Sequence, residues 1–226
     1  MLVHIPRTLN EAELASLRER LAKATWVDGR ITAGPQSAKV KENLQLAEDS
    51  AEARELGLIV LRALERNPIF VSATLPRHVY PPMFNRYEPG MGFGAHVDNA
   101  IRAVGNTPLR LRTDVSATLF LSAPEDYEGG ELVVEDTYRT HSAKPAAGDL
   151  IVYPATSLHR VAPVTRGARL ACFFWIQSMV KDDGERTLLF ELDRAIGELG
   201  KIAPDNPALV RLTATYHNLV RKWTEM

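Results

Sequence analysis

A chain of 226 residues, 45% hydrophobic and 24% charged, suits one ordinary globular domain and is too apolar to remain disordered. Its formal net charge of −1 gives no field that would gather a polyanion or an acidic membrane, so neither nucleic acid nor membrane is expected as a partner. The single cysteine, Cys172, excludes an internal disulfide and a thiolate metal cluster; set between Ala171 and Phe173, it reads as a small buried residue. The start of the chain lacks a signal's apolar stretch and no run reaches the roughly 20 apolar residues of a membrane span, so a soluble, cytoplasmic protein is expected.

Leu2 to Ile5 reads as a short strand closed by Pro6. Thr8 with Glu11 three residues on forms a capping-box pattern, and Leu14, Leu17 and Leu21 make a helical stripe running to near Trp26 and the Asp28-Gly29 turn. Lys39 to Leu46 alternates in polarity, which predicts a strand bordering a pocket. Asp49 with Glu52 starts another helix, whose core face is Leu56, Ile59, Val60, Leu61 and Leu64 and which stops at Asn67-Pro68.

From there the pattern is mainly β, with strands predicted at Ile69–Thr74, Val79–Tyr87, Phe93–Asp98, Val115–Leu121, Glu131–Glu135, Tyr138–Ser142, Asp149–Tyr153, Leu158–Val161 and Ala168–Ser178. Gly and Pro punctuate them, which indicates a barrel or two-sheet jelly roll able to hold a small molecule in its mouth. Asn99 to Thr113 interrupts the rhythm as a long loop where a lid would sit. Two helical stripes follow, Leu188, Leu189, Leu192, Ile196 and Leu199, then Leu209, Leu212, Tyr216, Leu219 and Trp223. They predict a pair of helices packed on the core or offering a surface for a homodimer. The resulting division is 1–77 for N-terminal α/β elements, 78–178 for the β core and 182–226 for a C-terminal helical segment.

The chemistry concentrates at His96 and Asp98. On a strand, residues two apart project from one face, so an imidazole and a carboxylate stand side by side. A second histidine from a distant strand, His159, completes two nitrogens and one oxygen, the facial set that suits Fe(II) and leaves coordination positions open. Arg169, ten residues after His159, supplies a planar cation for a carboxylate. His141 is the rival ligand; His4, His78 and His217 read as surface or packing residues. Arg102, Arg110 and Arg112 in the long loop either meet an acidic substrate or belong to an ordinary solvated loop, and Asp114 and Asp149 read as turn or strand-end residues.

The stretch Asn85-Arg86-Tyr87-Glu88-Pro89-Gly90-Met91-Gly92-Phe93-Gly94-Ala95-His96-Val97-Asp98 resembles the first metal motif of 2-oxoglutarate/Fe(II) dioxygenases of the prolyl/lysyl hydroxylase type. Asp114 to Ser122, Gly129-Gly130-Glu131-Leu132, Gly148 to Pro154 and His159 to Arg169 are similar to the rest of that pattern. Within the superfamily the chain looks most like the bacterial PKHD-type hydroxylases, the PiuC-like group linked to iron uptake. The resemblance implies a double-stranded β-helix (jelly-roll) core with flanking helices. It also implies Fe(2+), 2-oxoglutarate and O2, with L-ascorbate as reductant, and release of succinate and CO2 as a small molecule or peptide is hydroxylated. It implies ligation by His96, Asp98 and His159, and co-substrate binding by Arg169. On the same resemblance Tyr87 is a candidate to add a hydroxyl to that clamp, against its reading as a core aromatic. One departure is Arg169 itself, where animal and plant prolyl hydroxylases usually carry Lys, which makes a prolyl substrate less secure. A nucleic-acid demethylase of the superfamily would carry a second Arg after the clamp, absent from Leu170 to Trp175. An iron-responsive sensor without turnover would need no co-substrate clamp.

Overall fold

The computed structural model describes every residue except Ala33, Asn106, Thr137, Tyr138 and Met226. Strand β1 (Val3–Ile5) leads through a turn into helix α1 (Glu11–Lys23). The cap is Asn10, not Thr8. Thr8 donates its hydroxyl to Ile5 O at 3.2 Å, closing a turn in which Arg7 has φ 50°, so the chain is not free to coil until Glu11. Asn10 Oδ1 then accepts from Glu13 N at 2.9 Å while Glu13 Oε2 accepts from Asn10 N at 3.0 Å. Asn10→Ala should cost about 1 kcal/mol, read as a drop in thermal midpoint of about 2–4 °C.

The chain continues through β2 (Val27–Asp28), two 3-10 turns at Gly29–Thr32 and Ser37–Val40, β3 (Lys41–Glu42) and β4 (Leu44–Gln45). The strand predicted over Lys39–Leu46 is therefore broken at Asn43. β3 and β4 belong to different sheets, and the segment crosses from one to the other at the pocket edge. Helix α2 (Ala51–Glu65) is capped by Ser50, one residue beyond the predicted Asp49, because the Ser50 hydroxyl accepts from Ala53 N at 3.0 Å. Residues Pro68–Thr74 form helix α3, not the predicted strand. Pro68 suits the first helical turn and Asn67 Oδ1 accepts from both Ile69 N and Phe70 N at 3.1 Å, so local capping overrides the β-branched composition.

Then come β5 (Pro76–Val79), β6 (Met83–Tyr87), β7 (Gly92–His96), β8 (Ile101–Ala103), β9 (Arg110–Arg112), β10 (Val115–Phe120) and β11 (Tyr127–Gly129). They are followed by β12 (Leu132–Glu135), β13 (Thr140–Ala143), β14 (Leu150–Pro154), β15 (His159–Val161), β16 (Val164–Gly167) and β17 (Arg169–Ser178). The start predicted for β13, Tyr138, lies outside the described residues. The interval 99–113 is not a plain loop: β8 and β9 pair within it as a hairpin.

The pairings are antiparallel. The larger sheet runs β1-β14-β10-β17-β6-β4-β2 with β5 also on β17; the smaller runs β13-β12-β15-β7-β3. This is the jelly roll expected from the strand pattern. Helices α1, α2 and α3 cover the outer face of the larger sheet through Leu17, Leu21, Leu56, Val60 and Phe70, which pack with Phe84, Leu119 and Phe174. Between the sheets, Phe120, Leu132, Val134, Ile151 and Tyr153 form a second cluster and leave a cleft at one end. Helix α4 (Asp183–Ile202) packs beside α3, with Phe190 in the same cluster as Phe70, and α5 (Ala208–Trp223) packs on α4, where Leu189, Leu75 and Val180 meet Tyr216, Leu219 and Trp223. Leu188, predicted on the packed stripe, is exposed; the stripe is wider than the face that finds a partner. No helix among the described residues is long and apolar enough to cross a membrane.

Candidate active site and metal centre

Register builds the site. Antiparallel pairing of β15 with β7 sets His159 directly opposite His96, with their rings 4.2 Å apart. Strand β7 stops at His96, so Asp98 is not held by the pleat the sequence predicted. Ser116, reaching from β10 in the other sheet, donates its hydroxyl to Asp98 Oδ2 at 2.5 Å and aims the carboxylate back at the imidazoles. One donor atom each of His96, Asp98 and His159 lies within 4.8 Å of the others, a spacing that could hold one metal ion.

Both imidazoles are oriented by their own backbones. His96 Nδ1 lies 2.8 Å from Gly94 O and His159 Nδ1 3.1 Å from Ser157 O. A carbonyl only accepts, so each Nδ1 carries a proton and Nε2 is the ring nitrogen left to face a metal. Burial first, and then His159, push the His96 pKa down to about 4, against the pull of Gly94 O and Asp98. His96 is thus neutral at physiological pH. Phe93 stacks on His96 at 3.6 Å and Tyr153 sits edge-on to His159 at 5.0 Å, shielding the rings from water.

Arg169 opens β17 opposite Tyr87 of β6 and is 1% exposed. Its guanidinium lies 5.3 Å from the Tyr87 ring and 5.0 Å from the Phe120 ring, and all three of its nitrogens lack a hydrogen-bond partner among the described residues. A buried cation with no acceptor costs several kcal/mol unless an anion reaches it. Room is left by Gly130, at φ +68°: a Cβ there would stand 3.1 Å from Arg169 Cδ and 2.9 Å from the Tyr127 ring. Tyr87 also lines the cleft; burial raises its pKa against the opposing pulls of Arg169 and Asn43, and its hydroxyl makes no bond to Arg169.

These residues share one cleft of about 760 Å³ counted out to its open mouth. Its walls also include Lys41, Asn43 and Gln45, from the segment 39–46 that the sequence places at the pocket border, and Asn85 and Ser116, which the sequence reading did not single out. Ser116 carried a usable signal: alternation along Val115–Phe120 puts Ser116 and Thr118 on one face of an apolar strand, and both line the cleft. The other candidates lie apart. His141, on the edge strand β13, accepts from Arg139 Nε at 2.9 Å. His4 pairs with the buried Asp149 at 2.7 Å, which also accepts from Arg7 N and ties β1 down. Arg112 is engaged by Asp114 at 2.7 Å and Glu225 at 3.1 Å and Arg110 is exposed, whereas Arg102 faces the cleft. Ser116→Ala should leave the fold intact but weaken metal binding about 10- to 100-fold in a competition titration, because an unanchored Asp98 carboxylate has to be ordered on binding.

A fold of this kind with two histidines, a carboxylate and a buried arginine at the cleft defines a class. A sequence profile of the 2OG-Fe(II) oxygenase superfamily matches residues 82–177, and that of the PKHD-type hydroxylase C-terminal domain matches residues 183–225. The chain is 60% identical to a PKHD-type hydroxylase of Gluconobacter oxydans and 59% identical to one of Methylobacterium nodulans, covering 100% of both partners in each case. Among solved structures it is similar to a prolyl-4-hydroxylase of Pseudomonas putida (TM-score 0.53, 19% identity, 78% of this chain and 92% of that one). It is similar also to a Trichoplax adhaerens prolyl hydroxylase in complex with a hypoxia inducible factor peptide (TM-score 0.56, 16% identity, 83% and 86%). At such identities the two structures speak for the fold alone. The full-length relatives go further: the chain belongs to the PKHD-type hydroxylases. It is a dioxygenase of the family that uses Fe(II) and 2-oxoglutarate.

Proposed function

We propose that His96, Asp98 and His159 hold Fe(II) and that Arg169 holds the distal carboxylate of 2-oxoglutarate, in an enzyme that hydroxylates an organic substrate with release of succinate and CO2. The reading is carried by Arg169: a 1% exposed guanidinium with three unpartnered nitrogens, in the same cleft as the triad, calls for a carboxylate from outside the chain. Two imidazoles and one carboxylate, with no thiolate, fit ferrous iron, and the open cleft leaves space for a co-substrate beside it.

Bound there, iron supplies the redox chemistry by which O2 is reduced at the expense of 2-oxoglutarate. The chain's own residues do the positioning. His96 and His159 present their Nε2 atoms, Ser116 holds Asp98 by donation, and Arg169 fixes the co-substrate's far end through charge-assisted bonds. Tyr87, its ring beside the guanidinium, borders the same clamp. Phe93 and Tyr153 keep the imidazoles dry, which limits wasteful oxidation. Ascorbate belongs to the proposal as the external reductant that keeps the metal ferrous.

The test is succinate formation from Fe(II), 2-oxoglutarate, ascorbate and O2, preceded by anaerobic addition of Fe(II) and 2-oxoglutarate. A metal-to-ligand charge-transfer absorption is expected on that addition; its absence would overturn the reading. The oxidised molecule, and a role in iron uptake, would be read from a metabolite that gains one oxygen only when the triad is intact.

A further inference from the structure

Three cations but only one carboxylate, Asp98, line the cleft among the described residues: Arg169, Lys41 and Arg102. Lys41, on β3, is 4% exposed; its Nζ donates to Thr32 Oγ1 at 2.9 Å and lies 5.3 Å from the Phe93 ring and 5.9 Å from the Phe173 ring. Arg102, on the β8–β9 hairpin, stacks 4.1 Å over Trp175 and 5.0 Å over Tyr80, and its buried Nε has no partner. The Tyr80 hydroxyl donates to Glu48 Oε1 and lies 3.2 Å from Ala103 O, and the hairpin is tied down by Thr113 N, which donates to Ala100 O at 2.9 Å.

Charge balance shows what is missing. On the reading above, Asp98 and the two carboxylates of 2-oxoglutarate match the charges of Fe(II) and Arg169. Lys41 and Arg102 then have no further carboxylate on the cleft wall among the described residues, since Glu48, bonded to the Tyr80 hydroxyl, does not line it. We propose that Lys41 and Arg102 form an anion subsite for the molecule oxidised, so that the primary substrate is an organic oxyanion, bearing a carboxylate or a phosphate, with its body against Phe93, Phe173 and Trp175. The proposal rests on the iron and 2-oxoglutarate reading. The state of Lys41 agrees with it: burial first, and then Arg102, hold its pKa down to about 8, while Asp98 and Asp28 pull the other way. An anion between the two cations would relieve that repulsion. Of the three loop arginines, only Arg102 is available for this, since Arg112 is engaged by Asp114 and Glu225 and Arg110 does not line the cleft.

The experiment uses full-length protein loaded anaerobically with Fe(II) and 2-oxoglutarate, titrated calorimetrically with benzoate, phenyl phosphate and neutral benzyl alcohol. At least one anion should bind and benzyl alcohol should not; which anion binds distinguishes carboxylate from phosphate. Lys41→Met and Arg102→Met should each weaken that binding about tenfold or more, Arg102→Lys should restore part of it, and 2-oxoglutarate affinity should stay at the parent value. Arg102 is only partly buried on the hairpin, so its variants test the subsite even if Lys41→Met fails to fold. The proposal is overturned if neither anion binds the parent protein, if the neutral probe binds equally well, or if Arg102→Met binds the anion unchanged. It is overturned also if Lys41→Met and Arg102→Met lose 2-oxoglutarate, which would make them part of the co-substrate clamp. Failure of the underlying reading looks different: the parent protein itself would show no charge-transfer absorption.

Discussion

Arg169→Met should leave the metal-free protein at least as stable as the parent while removing its response to 2-oxoglutarate. In the parent the guanidinium is buried without an acceptor, which opposes folding by a desolvation cost of several kcal/mol. Methionine fills much of the same volume without the charge. What it loses are the contacts with the Tyr87 and Phe120 rings, at 5.3 and 5.0 Å, worth about 0.5–2 kcal/mol each. The desolvation relief is comparable or larger, so the sign without ligand is neutral to stabilising. With ligand the sign reverses. Losing one partner of a buried carboxylate–guanidinium pair costs about 2–5 kcal/mol, or roughly 30- to several-thousand-fold in affinity. Thermal unfolding with and without 2-oxoglutarate reads both effects: the parent gains about 2.7 kcal/mol at a hundredfold excess over Kd and the variant almost nothing. A parent-like gain in Arg169→Met would remove this residue from the clamp.

Asp98→Asn should act in the opposite direction on the empty protein and abolish stoichiometric Fe(II) binding. Asparagine keeps the shape, but it withdraws the one carboxylate that, among the described residues, lines a cleft holding Lys41, Arg102 and Arg169. Lys41, whose pKa Asp98 helps to hold up, becomes harder still to keep protonated, so the metal-free variant should unfold at a lower temperature than the parent. The metal loses its only anionic donor of the three, at a cost of roughly 10²–10³-fold in affinity. Titration with Fe(II) under argon, followed by unfolding of the metal-free protein, separates the two consequences. Full stoichiometric binding by Asp98→Asn would show that the metal lies elsewhere.

Legibility in the sequence followed the range of each interaction. Short apolar runs punctuated by Gly and Pro predicted β10, β12, β14 and β17 because strand and turn composition is local, and the helical stripe around Leu56, Val60 and Leu64 predicted α2 for the same reason. Caps were displaced by one or two residues, to Asn10 because the Thr8 hydroxyl bonds Ile5 O, and to Ser50 because its own hydroxyl accepts from Ala53 N. The strand predicted at Ile69–Thr74 failed because six residues are too few for composition to outweigh the Asn67 cap. At the site, His-x-Asp and the distant histidine stood out by spacing. Alternation also placed the Lys39–Leu46 segment, and with it Lys41, at the pocket border, but the crossing between sheets at Asn43 and the bond from Ser116 to Asp98 depend on segments far along the chain.

The sequence by itself therefore determined the class of architecture and the kinds of donor the cleft contains, because residue type and two- or four-residue periodicity survive without tertiary contacts. Only the tertiary structure decided which donors meet. The register His159↔His96 and Arg169↔Tyr87 is a property of paired strands. So is the fate of each charge: Arg112 is neutralised by Asp114 and Glu225, while Arg102, ten residues earlier, faces the cleft. Compensation of a charge depends on what folds beside it, and no local pattern records that neighbour.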